Sequence, residues 1–283
     1  KTKIVSLEDM PRNKRILVFS PHPDDDVICV GATLKLLCDR GNEVKIAYMV
    51  SGNIAVRDSD VVKYLPKIVN ESQVEAYKKL ILNNKLPLNE LLELKAKVRE
   101  LEAVNASKLI GIPESNLYFL RLPFYETGLI IKKPISYEDV SIVKKLIEKE
   151  KPEIILMPGE IADPHGTHGK CIEAIYRALE SANLNHVPEM WHYKGGWEEY
   201  LIYEADLVVP FNKDIMQLKV KAIKEHRSQL DPMFQGLDPR PFWKRAMDRN
   251  RRNGMMLQKL GLSNASYAEL FKLGRVVKEF EIK

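Results

Sequence analysis

The chain has 283 residues, of which 45% are hydrophobic and 29% charged, as in an ordinary globular protein. This composition excludes a disordered chain, a collagen-like chain and a disulfide-rich miniprotein. The net charge of +5 is mild for this length, so it predicts no nucleic-acid partner and is compatible with a small anionic substrate.

The sequence shows no signs of membrane insertion or of secretion. No apolar run approaches the ~18 residues of a membrane span, and the residues after Lys1 lack the apolar core of a signal peptide. Three cysteines without a CxxC pair indicate neither a disulfide framework nor a thiolate zinc site. We therefore predict no membrane partner and a cytoplasmic location. Because no initiator Met is present, we expect a processed chain or part of a longer one.

The first 50 residues predict a βαβ unit. Arg15–Ser20 is a short β-rich run, Val27–Arg40 carries apolar residues at helical spacing, and Glu43–Val50 is a second β-rich run. A strand, a helix and a strand within ~40 residues imply a parallel pair with a right-handed crossover.

The rest of the chain continues this alternation. The charged, irregular stretch from Ile54 to Asn89 is predicted to be an insertion over one end of the sheet, and the unpatterned segment around His186 and His192 to be a solvated loop. Further helices are predicted at Leu91–Ile110, Tyr137–Glu150, Lys170–Ser181, Lys213–Gln229 and Arg240–Leu260. Further strands are predicted at Leu117–Leu120, Glu153–Met157 and Tyr200–Pro210.

The order of these elements predicts an α/β fold. We expect a Rossmann-like, doubly wound, mostly parallel sheet with helices on both faces and C-terminal helical additions. We further expect a single domain over residues 1–283, with a core at about 14–230 and a helical extension at about 231–283.

Two polar segments follow predicted strands and carry the groups suited to chemistry. Ser20–Asp26 reads SPHPDDD at the end of the first strand, and Asp163–His168 reads DPHGTH beyond the strand Glu153–Met157. In an open parallel sheet, ligands bind outside the carboxyl ends of the strands. The two segments are therefore expected to meet, although they are far apart along the chain.

Their residue types and spacing predict a divalent metal site. Three consecutive aspartates repel each other electrostatically, and a bound cation would remove that repulsion. His22 and Asp25 are three residues apart, as are His165 and His168, so two ligands from one turn and one from the other would form a His–Asp–His set. Three protein ligands plus water hold catalytic zinc, which lowers the pKa of the bound water to ~7. A carboxylate that is not a ligand could then take the water's proton, and a second His could stabilise the oxyanion.

The same residues have a purely structural alternative. Asp24, Asp25 and Asp26 could form an acidic N-cap cluster that complements the dipole of the following helix. Either histidine of the second segment, taken alone, would be an ordinary loop residue. The HPDD pattern after a strand, combined with HxxH after another, favours the metal site.

These segments resemble the PIG-L/LmbE-like de-N-acetylase family. Pro21–Asp26 followed by Gly31–Leu34 resembles the first motif of that family, and His165–His168 its second motif. The resemblance continues at Arg99–Ala103, Leu109–Gly111 and Lys221–Gln229, and it spans about residues 14–230. The family consists of zinc-dependent hydrolases that remove acetyl from N-acetylglucosamine-type groups on inositol-linked, malate-linked or lipid-linked sugars.

The resemblance implies a role for individual residues. It places the metal ligands at His22, Asp25 and His168. Asp24 matches the general base, His165 the group that stabilises the tetrahedral intermediate and protonates the amine, and Arg99 a substrate-contacting arginine. The implied cofactor is Zn²⁺, with Fe²⁺ or another divalent metal left open.

A narrower resemblance covers nearly the whole chain. Pro123–Gly128, Ala162–His168 and Phe242–Asn250 resemble a branch that is fused behind a glucosamine-6-phosphate deaminase-like domain. It implies a fused or associated domain of that kind as a partner, and a homo-oligomer is left open. The chain departs from the family pattern at Asp26 (usually Glu), at Gly166-Thr167 (often Pro-Asp) and at Asp163 (Tyr in some members).

These observations together predict an enzyme. Tyr125 and Glu126, after a predicted strand end, are expected to line a sugar pocket, with core packing as the alternative for the aromatic ring. We expect a metal-dependent hydrolase that removes acetyl from a small N-acetylglucosamine-type substrate by attack of metal-bound water. The alternatives are a metal-retaining, amino-sugar-binding regulatory module of a larger fused protein, and a hydrolase of another amide.

Overall fold

The computed structural model describes residues 2–160, 163, 165–231 and 238–274. These residues contain eight strands in one sheet, in the order β1-β7-β8-β6-β5-β2-β3-β4. The strands are β1 Lys3–Ile4, β2 Arg15–Ser20, β3 Glu43–Tyr48, β4 Leu117–Phe119, β5 Ile154–Pro158, β6 Glu189–Tyr193, β7 Leu207–Phe211 and β8 Tyr267–Gly274. Every pairing is parallel except the two made by β8. The predicted Rossmann-like, mostly parallel sheet is confirmed.

Helices cover both faces of this sheet. They are α1 Asp25–Asp39, α2 Asp58–Ile68, α3 Val74–Leu82, α4 Leu88–Ile110, α5 Tyr137–Glu150, α6 Thr167–Ser181, α7 Lys213–Glu225 and α8 Phe242–Lys259. The side chains of strand β2 alternate between two hydrophobic layers, so helices on both faces of the sheet are needed to bury them. Ile16 and Val18 pack with α1, α4 and α7, whereas Leu17 and Phe19 pack with α5 and α6. No helix within the described ranges is both long enough and apolar enough to cross a bilayer.

The predicted insertion is a small helical layer. Helices α2 and α3 pack on α4 around a separate apolar cluster that includes Val61, Leu65 and Val98. This layer covers the N-terminal half of α4, which carries Arg99 toward the carboxyl ends of the strands.

Three expectations about secondary structure are wrong in part. The C-terminal extension is not only helical, since β8 inserts between β6 and β7 in the sheet. His192 is not in a solvated loop: it lies in β6, and its Nε2 is 2.8 Å from the hydroxyl of Tyr176. His168 is not in a loop either, because α6 begins at Thr167 and places this histidine in its first turn.

Buried Glu269 of the extension is bonded to both α7 and α1. Lys219 Nζ donates to Glu269 Oε1 at 2.6 Å and to Asn250 Oδ1 at 2.8 Å, and all three side chains are buried. The Glu269 carboxylate also accepts hydrogen bonds from the backbone N–H groups of Ala32 and Thr33 in α1. Strand β8 and helix α8 are therefore bound to the helix whose N-terminus carries the acidic segment.

Candidate active site

The first polar segment forms a tight turn between β2 and α1. Ser20 Oγ donates to the carbonyl of His22 at 2.6 Å and accepts from the backbone N–H of Asp26 at 3.1 Å. These two hydrogen bonds hold the turn in one conformation, in which His22 and Asp24 line a cavity at the carboxyl ends of the strands. The turn thus presents its charged groups at the edge where an open α/β sheet binds ligands.

His22, Asp25 and His168 converge as the spacing predicts. Asp25 Oδ2 lies 3.1 Å from His22 Nδ1 and 3.2 Å from His168 Nε2. One potential ligand atom from each residue falls within 4.8 Å of the others. His22 is partly exposed, whereas Asp25 and His168 are buried. One side of the cluster therefore faces the cavity.

This cluster fits a divalent metal. Two ligand atoms at about 2.1 Å from a tetrahedral ion lie roughly 3.4 Å apart. The two distances from Asp25 Oδ2 to the histidine nitrogens are close to that value, and the histidine nitrogens lie within 4.8 Å of each other. His168 is fully buried between two carboxylates, with Nε2 3.2 Å from Asp25 Oδ2 and Nδ1 3.3 Å from Glu160 Oε1. Burial lowers the pKa of His168, but Asp25 and Glu160 outweigh burial and raise that pKa well above its usual value. The position therefore favours positive charge, which a proton or a metal ion can supply.

Asp24 is separate from this cluster and pairs with Arg99. Its Oδ1 lies 3.1 Å from Arg99 Nη2, and both side chains are buried. Burial raises the pKa of Asp24, and the Arg99 guanidinium opposes that rise. Asp24 occupies the N-cap position of α1, yet within the described ranges its side chain makes no capping hydrogen bond. The N-cap alternative therefore does not account for this carboxylate.

Glu160 contributes to the site and was not anticipated from the sequence. It lies just beyond β5, is 1% exposed, and its Oε1 is 3.3 Å from His168 Nδ1. Burial alone would raise the pKa of Glu160, but His168 and a backbone N–H lower it below its usual value. The same carboxylate accepts backbone N–H groups from the loop Gly195–Glu198. A glutamate directly after a buried strand and Gly159 was the available signal.

The cavity in front of the cluster is partly open to solvent. His165, Arg99 and Tyr125 line it. Burial lowers the pKa of His165, which favours the neutral imidazole. Trp197 and Phe242 also line the cavity, with their ring centroids 5.9 Å apart and their planes at 87°. The C-terminal extension therefore supplies part of the wall through Phe242.

Other predicted site residues take supporting positions. Glu126 is outside the cavity lining, and its carboxylate accepts hydrogen bonds from Ser51 and Asn53. Asp163 lines the cavity, but its carboxylate accepts the backbone N–H groups of Thr167 and His168 at the start of α6.

The remaining acidic residue of the first segment has a structural setting. Asp26 is fully buried, and the hydroxyl of Tyr48 donates to it at 3.1 Å. Ala162 and Pro164 of the second motif lie outside the described residues.

Comparisons with known proteins place this geometry in a family. A glucosamine-6-phosphate deaminase-like protein of Bacteroides thetaiotaomicron is 38% identical over 283 aligned residues, which cover 92% of this chain and 43% of that protein. The chain thus spans less than half the length of that relative. The diacetylchitobiose deacetylase of Thermococcus kodakarensis is 23% identical over 226 residues, which cover 76% of this chain and 70% of that protein.

Solved structures of this fold include deacetylases and an enzyme that is named for a different reaction. The 4-carboxy-2-hydroxymuconate hydratase of Pseudomonas putida superposes with a TM-score of 0.61 at 15% identity, covering 94% of this chain and 99% of that one.

A family model described as PIG-L, GlcNAc-PI de-N-acetylase, matches residues 17–179, the stretch that includes both polar segments. Because that match covers more than half of the chain, this protein belongs to the PIG-L family.

Proposed function

We propose that this chain is a metal-dependent deacetylase of an N-acetylglucosamine-type substrate. The observation that carries the proposal is the convergence of His22, Asp25 and His168 beside a buried carboxylate, Asp24, that lies outside the ligand set. A regulatory module that only retains a metal needs no such carboxylate. The hydratase shows that proteins of this fold can catalyse different reactions. The side chains at the site, and not the fold, therefore determine the reaction.

In this proposal His22, Asp25 and His168 hold Zn²⁺ or a similar divalent ion. The bound ion would polarise the acetamide carbonyl and lower the pKa of the attacking water. Asp24 takes a proton from that water, and Arg99 orients Asp24 through the 3.1 Å contact. His165 lines the cavity and stabilises the oxyanion. Its neutral imidazole must first take up a proton from solvent, which it then donates to the departing nitrogen, and Asp24 releases to solvent the proton that it took from the water. Acetate and a free amino sugar are the products.

The cavity wall supports a sugar as the substrate. Tyr125 and Trp197 present aromatic surface, and Arg99 and Gln229 present polar groups, around the same space. A sugar ring offers an apolar face and a hydroxyl rim, so a mixed lining of this kind suits it. The deacetylase of T. kodakarensis acts on an N-acetylated sugar by its name. The B. thetaiotaomicron relative supports a partner domain that resembles glucosamine-6-phosphate deaminase, fused or associated with this chain.

The decisive experiment is acetate release from N-acetylglucosamine, N-acetylglucosamine 6-phosphate and diacetylchitobiose. Each substrate is incubated with the metal-free protein and with the same protein after zinc is restored. We expect acetate and primary amine in equal amounts from at least one sugar, and only in the presence of metal.

Two other results would point to the alternatives. If the protein binds zinc and an amino sugar but releases no acetate from any substrate, the regulatory module is the better description. If acetate comes from a simple N-acetylated amine as fast as from the sugars, the protein is a hydrolase of other amides.

A further inference from the structure

We propose that Lys132 binds an anionic substituent, such as a phosphate, on the amino-sugar substrate. The inference rests on the proposed function, because it assigns a substrate class to the same cavity. Lys132 did not stand out in the sequence, where Arg99 was the expected substrate-contacting residue.

Lys132 is built into the cavity wall. Its side chain is 9% exposed and lines the same space as His22 and His165. The ammonium lies 3.7 Å from the centroid of the Tyr125 ring, a cation–π distance, and donates to the carbonyl of Leu129 at 2.9 Å. These two contacts hold the charge in place before any ligand binds.

The charge of Lys132 has no matching carboxylate within the part of the chain that the structure describes. The carboxylate that attracts it electrostatically, Glu126, is hydrogen-bonded to Ser51 and Asn53. Burial lowers the pKa of Lys132 to about 8, which shows that the ammonium is poorly solvated there. An approaching anion stabilises a buried cation that is poorly solvated and has no carboxylate partner.

Arg99 is less suited to the same task, although its Nε and Nη1 make no hydrogen bond to a described residue, because its guanidinium already faces an anion. Its Nη2 is paired with Asp24, and a second anion beside that carboxylate would be repelled by it. We therefore regard Arg99 as a positioning residue for Asp24, and Lys132 as the residue that binds the anionic substituent of the substrate.

The position of Lys132 also suits a single hexose. The centroid of the Tyr125 ring is 3.7 Å from the ammonium and 6.1 Å from the ring centroid of His22, and all three residues line the same cavity. Lys132 is therefore close enough to His22 for one sugar ring to approach both. We expect a sugar whose acetamide is at His22 to bring a phosphate on another substituent to the ammonium.

The test compares substrates that differ only in charge. The specificity constant kcat/KM is measured for N-acetylglucosamine, its 6-phosphate and its 1-phosphate with the zinc-loaded protein. The variants are Lys132→Gln, Lys132→Arg and, as a matched control, Lys133→Gln, which removes the neighbouring exposed lysine. We expect the unaltered protein to prefer one phosphorylated sugar, and Lys132→Gln to reduce that preference at least about tenfold. Lys132→Arg should retain most of the preference, and Lys133→Gln should retain all of it.

The outcomes separate this inference from the proposed function. If acetate is released but the preference is the same in Lys132→Gln and the unaltered protein, the assignment of Lys132 is wrong while the deacetylase stands. If no sugar is deacetylated, the affinities for glucosamine and glucosamine 6-phosphate still test Lys132 without turnover. Equal discrimination between these two ligands in the Lys132→Gln variant and the unaltered protein would overturn the inference.

Discussion

Glu160 Oε1 lies 3.3 Å from Nδ1 of His168, on the opposite side of the imidazole from Asp25. A carboxylate in this position fixes the ring orientation of a metal-binding histidine and increases its basicity. Gly196 permits the arrangement, because a Cβ at this position would lie 2.8 Å from Glu160 Oε1. The loop can therefore approach closely enough to donate its N–H groups to the carboxylate.

The variant Glu160→Gln is expected to bind zinc about 10–100 times more weakly while it remains folded, because partners of this kind typically contribute that much to metal affinity. Affinity is measured by competition with a chromophoric chelator. Glu198→Gln is the matched control, since its side chain is exposed and lies in the adjoining loop. His168→Ala should lose the metal altogether. Unaltered zinc affinity in Glu160→Gln would contradict the supporting role of Glu160, whereas retained zinc in His168→Ala would contradict the proposed ligand set.

Asp24→Asn should keep the metal and lose turnover by about 10²–10⁴, the usual contribution of a general base. The amide is nearly the same size as the carboxylate, so the cavity and the contact with Arg99 are largely preserved. Zinc stoichiometry and kcat are measured on the same preparation. Turnover near that of the unaltered protein at saturating zinc would remove Asp24 from the mechanism.

Lys219→Met should lower the free energy of unfolding by about 3–5 kcal/mol, because it leaves the Glu269 carboxylate buried without its cation. Urea unfolding gives the value. Lys221→Met, an exposed residue of α7, should stay within about 0.5 kcal/mol of the unaltered protein.

The same experiment addresses the predicted single domain. Because Glu269 of the extension bonds directly to α1, the extension and the core should unfold together in one transition. Two transitions, with only the first shifted by Lys219→Met, would show instead that the extension is a separate unit.

The preference for a phosphorylated sugar should fall as pH rises through about 8. Burial lowers the pKa of Lys132 to about 8, so the ammonium is present below that pH and is lost above it. The charged or titratable groups around it are Glu126, His165 and the Tyr125 ring. The ratio of kcat/KM for phosphorylated and unphosphorylated substrates cancels the titration of groups that both substrates share. Lys132→Arg should make this ratio independent of pH between about 7 and 9.5, because arginine stays protonated. A ratio that is flat in the unaltered protein would contradict the assignment.

The sequence alone predicted the fold class and the residues that meet at the candidate site. Both rest on local patterns, namely short β-rich runs, apolar residues at helical spacing, and histidines and aspartates next to the ends of strands. Parallel strands align their carboxyl ends, so residues placed there, such as His22 and His168, come together whatever the details of packing. The resemblance to the PIG-L family rests on the same residues, and the family match confirms it.

Strands β6 and β8 were not predicted from the sequence, because they depend on tertiary contacts. Strand β6 carries aromatic and charged residues without clean alternation, and it lies inside the sheet, paired with β5 on one edge and β8 on the other. Strand β8 pairs with two segments that are distant in sequence, and its Glu269 is acceptable only because Lys219 neutralises it. Neither strand could be recognised from its own residues.

The partners of the charged groups were also decided by tertiary structure. The pairing of Asp24 with Arg99, of Glu160 with His168 and of Lys132 with the Tyr125 ring joins residues from different elements. No spacing along the chain encodes such contacts, because they depend on how helices and loops pack above the sheet. The sequence determined which chemical groups are present at the site, and packing decided which of those groups are already paired and which face the cavity.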